Sequence, residues 1–186
     1  MHSIPLISIL IWAFAAAIAY YFLGGFLWGA GYAPTNRTEI EKVARFLDLK
    51  EGKTFYDLGS GYGRMVIAIA QNCNVNCIGV EMDPVKCWWT TFMIKRKKLE
   101  DKVKIIQSNI FGVNLSEAEN VFVFLSNSTQ IMKNLREKMF REMKPGAHVV
   151  SYVHRFEDWT PEKVEGSLYL YSIPEHPLPD LNRATL

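Results

Sequence analysis

Cysteine is scarce in this 186-residue chain, and its three copies, Cys73, Cys77 and Cys87, form no CxxC pair and have no histidine at zinc-like spacing. That pattern excludes a disulfide framework and a metal site, and leaves buried thiols in a reducing compartment. Excess charge is missing too. Lys plus Arg number 21 against 19 Asp plus Glu, so no global basic field recommends binding nucleic acid through its phosphates. There is no internal repeat and no low-complexity tract, and the length suits one compact domain with an appendage. The most informative absence is local. From Ser3 to Asn36 there is no Lys, Arg, Asp or Glu, and Ile4 to Leu27 is almost entirely apolar.

An apolar run of about 20 residues can cross a membrane, and Tyr20, Tyr21, Trp28 and Tyr32 cluster towards one end as interfacial aromatics do. A cleaved signal peptide would need a basic leading segment, whereas only His2 precedes the run, and the run is too long for a signal core. Residues 1–31 are therefore expected to be a transmembrane anchor and 32–186 a catalytic-size domain. Positive residues appear only after the span, at Arg37, Lys42 and Arg45, which keeps the domain on the cytoplasmic side. Gly25 and Gly29 form a GxxxG, a spacing too common to carry helix pairing by itself.

The rest alternates between the periods of helix and strand. Helical spacing runs from about Asn36 to Leu47, Arg64 to Gln71, Pro84 to Lys98 and Thr129 to Met143. Strand patterns cover Thr54 to Leu58, Val75 to Glu81, Val103 to Gln107, Val121 to Leu125, Ala147 to Val153 and Ser167 to Ile173. Such alternation predicts an α/β fold, a doubly wound, mostly parallel Rossmann-like sheet with its ligand at the carboxyl ends of the strands. Trp88, Trp89 and Phe92 fall on one helix and are expected in the core, and Lys95-Arg96-Lys97-Lys98 reads as a solvated, dipole-compensating helix end.

The sequence Asp57-Leu58-Gly59-Ser60-Gly61-Tyr62-Gly63-Arg64 puts three alternate glycines between a strand and a helix, where a ligand can lie against the backbone. At the end of the next strand, Gly79-Val80-Glu81 supplies a carboxylate where such sites bind ribose hydroxyls. No Gly-Lys-Ser or Gly-Lys-Thr is present, and the third glycine falls one position early for the dinucleotide fingerprint. S-adenosylmethionine, which has no pyrophosphate, fits better: Asp57 can meet its ammonium while backbone N–H groups meet its carboxylate.

DLGSGYGR followed by GVEMDP resembles the first two motifs of class I S-adenosylmethionine-dependent methyltransferases. Tyr32-Ala33-Pro34-Thr35, Gln107-Ser108-Asn109, Phe124-Leu125, Lys144-Pro145-Gly146 and Val149-Val150-Ser151 resemble the branch holding the archaeal protein-lysine methyltransferases and the mitochondrial enzyme that methylates the c-ring protein of ATP synthase. That resemblance implies a cofactor site of Tyr32, Thr35, Asp57, Gly59, Ser60, Gly61, Glu81, Met82 and Asn109, with Met82 on the adenine face and Asn109 near its amino group. It implies S-adenosylmethionine as cofactor, no metal, and a protein substrate embedded in a membrane. The absence of an Arg-rich transit segment favours an archaeal-type plasma membrane over a mitochondrial inner membrane.

Methyl transfer to lysine needs a neutral amine held in line, so positioning and desolvation are expected to dominate. The group that orients the amine is left open among Asn127, Tyr152 and His154, with Ser126 beside them, since the loops after the fourth and fifth strands face the site. Phe124-Leu125-Ser126-Asn127 is not the Asn/Asp-Pro-Pro-aromatic sequence of many nucleic-acid amino-methyltransferases, which argues against a nucleic-acid substrate. A lipid or quinone methyltransferase, and a non-catalytic cofactor-binding adaptor, are the competing readings.

Overall fold

The computed structural model describes residues 6–27, 37–125 and 129–175. The chain divides into two compact units, Met1–Ala33 and Pro34–Leu186. The expected boundary at residue 31, together with Trp28, Gly29, Tyr32, Pro34 and Thr35, lies outside the described residues.

The first unit holds α1, Leu6–Leu27, whose 22 residues extend about 33 Å at 1.5 Å per residue. Leu6, Ile7, Leu10, Ile11, Trp12 and Phe14 on it are all exposed. Among the described residues no helix is long and apolar enough to cross a membrane.

In the second unit the elements are α2 (Arg37–Phe46), β1 (Thr54–Leu58), α3 (Arg64–Asn72), β2 (Asn76–Glu81), α4 (Pro84–Arg96), β3 (Val103–Gln107), β4 (Asn120–Val123), α5 (Thr129–Glu142), β5 (His148–Tyr152), β6 (Lys163–Glu165) and β7 (Leu168–Ser172). The sheet order is β3-β2-β1-β4-β5-β7-β6. β1 to β5 pair in parallel, and β7 runs antiparallel to both β5 and β6. Strand order reverses between β1 and β4, so the ligand crevice of such a sheet opens there, at the carboxyl ends.

Side chains two apart on a strand share a face, and the core follows this rule. Tyr56, Leu58, Val121, Val123 and Val149 pack with Leu135 and Met139 of α5. Phe55, Phe122 and Val150 face the other way, onto Val43 of α2 and Val66 and Ile69 of α3. Both layers are apolar, which explains why the parallel strands read as continuous apolar runs. Trp159, whose role the sequence does not reveal, plugs the first layer: its ring lies 4.6 Å from Tyr171 and 4.7 Å from Phe140.

Two expectations need correction. Trp88, Trp89 and Phe92 are not core: they are 67%, 43% and 47% exposed, because α4 turns Cys87, Thr90 and Ile94 towards the sheet instead. β6 was not foreseen, since its three residues are all exposed and carry no apolar alternation. The thiols behave as expected only in part: burial pushes Cys77 up to about 12 and Cys87 up to about 11, while Cys73 is half-buried.

Candidate functional site

In-register pairing sets Asp57 opposite Gly79 and Leu58 opposite both Val80 and Val123. One residue further on, Glu81, Gly59, Phe124 and Tyr152 therefore form a row along the carboxyl edge of the sheet. Asp57, Gly79 and Glu81 share the face covered by α3, by the two-residue period of the strands.

Gly79 keeps this face open. A Cβ there would lie 2.8 Å from Ser60 Oγ and 2.7 Å from the Ile105 side chain. Gly63 must also be glycine, with φ 67° and the Thr90 methyl 2.2 Å from where its Cβ would stand. A Cβ on Gly61, by contrast, would meet open space.

The loop is anchored by its own amides. Gly59 and Ser60 N–H both donate to the Val80 carbonyl at 2.9 Å, and Gly63 N–H donates to the Ser60 carbonyl at 2.8 Å. Gly61 N–H donates to Glu81 Oε2 at 2.8 Å, while Glu81 Oε1 accepts from Met82 and Asp83 N–H, each at 2.9 Å. These four loop N–H groups already have acceptors, so the backbone donors left for a ligand carboxylate are those at the start of α3. Helix geometry leaves the first-turn amides of α3, Arg64 to Val66, without intrahelical partners, and its N-cap, Gly63, has no side chain to cap them.

Asp57 is 4% exposed, and among the described residues no cation or donor pairs with it. Burial first, and the nearby Glu81 second, push its carboxyl up to about 7. Among the described residues the buried Ser60 hydroxyl has no hydrogen-bond partner. Two carboxylates short of a cation, an orphaned hydroxyl, an uncapped helix N-terminus and open space over Gly61 complement a ligand bearing an ammonium, a carboxylate and ribose hydroxyls. S-adenosylmethionine carries all three, so the residues present fit it.

Asn109 follows β3, is exposed, and accepts a hydrogen bond from Phe111 N–H on Oδ1 at 3.0 Å, which fixes the amide's direction. Met82 is half-buried beside Glu81. Tyr152 ends β5 with its ring edge-on to Phe124 at 4.8 Å. At about 4.8 Å per strand it stands two strands, roughly 10 Å, from Gly59. His154 lies two residues beyond, half-buried, and its carbonyl accepts from the Ser151 hydroxyl. Tyr32, Thr35, Ser126 and Asn127 lie outside the described residues.

Three supporting residues escape a sequence reading. Asp83, 1% exposed, caps α4 by accepting from Val85 N–H at 2.9 Å and Lys86 N–H at 3.4 Å; an Asp directly before a helix-opening Pro was the signal. Thr90, fully buried, packs on Gly63, and Leu125 approaches Gly59, its methyl 2.9 Å from where a Cβ would stand. Neither announces its role by spacing. A cavity of about 360 Å³, lined by Lys50, Lys53, Glu119, Lys144 and His148 among others, opens at the amino ends of β1, β4 and β5. It is at the wrong end of the sheet for the chemistry, and its Lys53 is paired with Glu119. Among the described residues no group of three His, Cys, Asp or Glu could hold a metal ion.

Residues 57–163 match the model of the ANTKMT methyltransferase domain. A protein-lysine N-methyltransferase of Saccharolobus islandicus (strain REY15A) is 31% identical over 154 residues, covering 78% of this chain and 94% of that protein. The lysine N-methyltransferase of the ATP synthase c-subunit in Homo sapiens is 31% identical over 135 residues, covering 73% of this chain and 56% of that longer protein. Among solved structures, an RNA methyltransferase from Salinibacter ruber in complex with S-adenosyl-L-homocysteine superposes with a TM-score of 0.74 at 30% identity, covering 80% of this chain and 97% of that one.

Proposed function

Because this chain belongs to the S-adenosylmethionine-dependent methyltransferase family of the ANTKMT domain, we propose that it methylates lysine side chains of a membrane-embedded protein while anchored in the same membrane by α1. The observation that carries the site is the buried pair Asp57 and Glu81, which no cation balances among the described residues. When bound, S-adenosylmethionine supplies a methyl group on a positively charged sulfur. Asp57 holds the ammonium, Glu81 takes the ribose hydroxyls with the lone pairs its backbone donors leave free, and Met82 and Asn109 border the adenine. Ser60 donates its otherwise idle hydroxyl to the ligand.

The acceptor amine has a reference pKa of about 10.4 and must arrive neutral. Phe124 and Tyr152 form an aromatic wall at the level of Gly59, and a wall of that kind disfavours the ammonium form by desolvation. Tyr152, with His154 and Asn127 as the other candidates, orients the amine through its hydroxyl. The lysine acceptor is supported by the two lysine-methylating relatives, each 31% identical.

The anchor reading rests on the sequence alone: no Asp, Glu, Lys or Arg stands between Ser3 and Asn36, and Ile4 to Leu27 is almost entirely apolar. Basic residues beginning at Arg37 favour the cytoplasmic side for the catalytic unit. A tether would raise the effective concentration of membrane-embedded acceptors.

The test incubates the full chain and methyl-labelled S-adenosylmethionine with membranes and RNA from cells lacking it, then counts label in protein, lipid extract and RNA. Label on lysine of a membrane protein is expected. Label in lipid or RNA instead would replace the lysine reading, and no label despite cofactor binding would leave an adaptor.

A further inference from the structure

Most surface helices are apolar on one side only, but α4 is apolar on two. Cys87, Thr90 and Ile94 are buried against the sheet, while Val85, Trp88, Trp89 and Phe92 stand outward, between 43% and 67% exposed. The outward set falls at i, i+3, i+4 and i+7, one continuous stripe along the helix. Its rings pack on one another: Trp88 and Phe92 stack at 6.2 Å and 14°, and Trp89 lies 6.1 Å from Phe92. The same helix ends in Lys95 and Arg96, followed by Lys97 and Lys98, all four exposed.

Three large aromatics on one exposed helix face are more apolar surface than a lone solvated protein keeps without use. Tryptophans grouped with an aliphatic side chain, and basic residues gathered at one end, match the composition of a helix lying in a bilayer interface: rings at the headgroup level, cations on anionic headgroups. A base-stacking platform fits less well. Its rings would need free faces, whereas two of these are already stacked, and its cations would be interleaved with them.

We propose that the outer face of α4 is a membrane-docking surface for anionic lipid, by which the catalytic unit lies on the bilayer independently of α1. Asp83, two residues after Glu81, caps α4, so docking of this face brings the carboxyl edge of the sheet close to the membrane surface, where a membrane-embedded acceptor would present its lysine. This deepens the anchored reading and is separable from it.

The experiment places the full chain with nanodiscs made of brominated phosphatidylcholine, alone or with one-third brominated phosphatidylglycerol. The fluorescence of the Trp88→Phe/Trp89→Phe variant is subtracted from that of the native chain. The difference signal is expected to be quenched by at least twofold in the anionic discs, less in the neutral ones, and to lose its quenching when Lys95, Arg96, Lys97 and Lys98 are changed to Gln. If the chain associates with both discs while the difference signal stays unquenched, the α4 proposal is overturned and the anchor stands. Association confined to anionic discs and lost with the tryptophans keeps the α4 proposal and removes the anchor. Protection of these tryptophans by added RNA, or by self-association at rising protein concentration, in place of lipid would overturn the proposal in favour of that partner.

Discussion

Asp57 concentrates the physics of the site in one side chain. In the cofactor-free fold its carboxyl is raised to about 7 by burial and by Glu81, against an unfolded value near 3.9. Between those values the folded state binds the extra proton, so this group subtracts stability as pH rises from about 4 to about 7. The upper bound on the penalty is about 4 kcal/mol, at 1.36 kcal/mol per unit. The Asp57→Asn variant, free of cofactor, is thus expected to be more stable than the native chain at pH 8, with the gain shrinking towards pH 5 in denaturant titrations. Cofactor binding should show the opposite dependence. S-adenosylhomocysteine also carries the ammonium, so its affinity for the native chain should rise as pH goes from 5.5 to 7.5, as Asp57 ionises. In Asp57→Asn it should be weaker and flat. Calorimetric titrations showing a flat native profile would contradict the assignment of Asp57 to the ammonium. At this scale much of the site was legible: Asp57, the three glycines and Glu81 are set by where a strand must end and a backbone must turn. What was not legible is which amides stay free, because that depends on where the Glu81 carboxylate comes to rest.

Among the elements, α4 shows both how far a sequence reading reaches and where it stops. Its start at Pro84 was readable, since Pro suits the first helical position. Its orientation was not: Val85-Lys86-Cys87-Trp88-Trp89 offers apolar residues to either side, and only packing against β2 and β3 decides that Thr90 faces inward to touch Gly63. The six strands of the sheet that the pattern placed all formed, each within about two residues of expectation; β4, buried throughout, shows the continuous apolar run of a central parallel strand most clearly. β6 was lost to the same logic, as an exposed edge of Lys163, Val164 and Glu165 has no buried face to print a pattern. Since Asp83 caps α4, the Asp83→Ala variant should lose about 0.5–2 kcal/mol. Thermal denaturation would register this as a fall of several degrees, at about 2–4 °C per kcal/mol. An unchanged Tm would mean that the helix start is held by Pro84 and Glu81 alone.

For the whole molecule, the topology makes one claim from which the rest follows. Sheet order reverses between β1 and β4, and the described residues assigned to the cofactor sit at the carboxyl edge, while the cavity lined by Lys53, Glu119 and His148 sits at the amino edge. Sequence alternation was enough to foresee the doubly wound sheet and its working edge, but not the cavity, which arises where loops before β1, β4 and β5 happen to part. The chain divides into the compact units Met1–Ala33 and Pro34–Leu186, and the described cofactor residues all belong to the second. Hydrogen–deuterium exchange on the full chain with and without S-adenosylhomocysteine tests the placement of the site most directly. Protection is predicted at residues 59–66, 81–83 and 109–112, with none at 47–53, 117–120 and 144–148. Protection confined to the amino-edge segments would contradict the account.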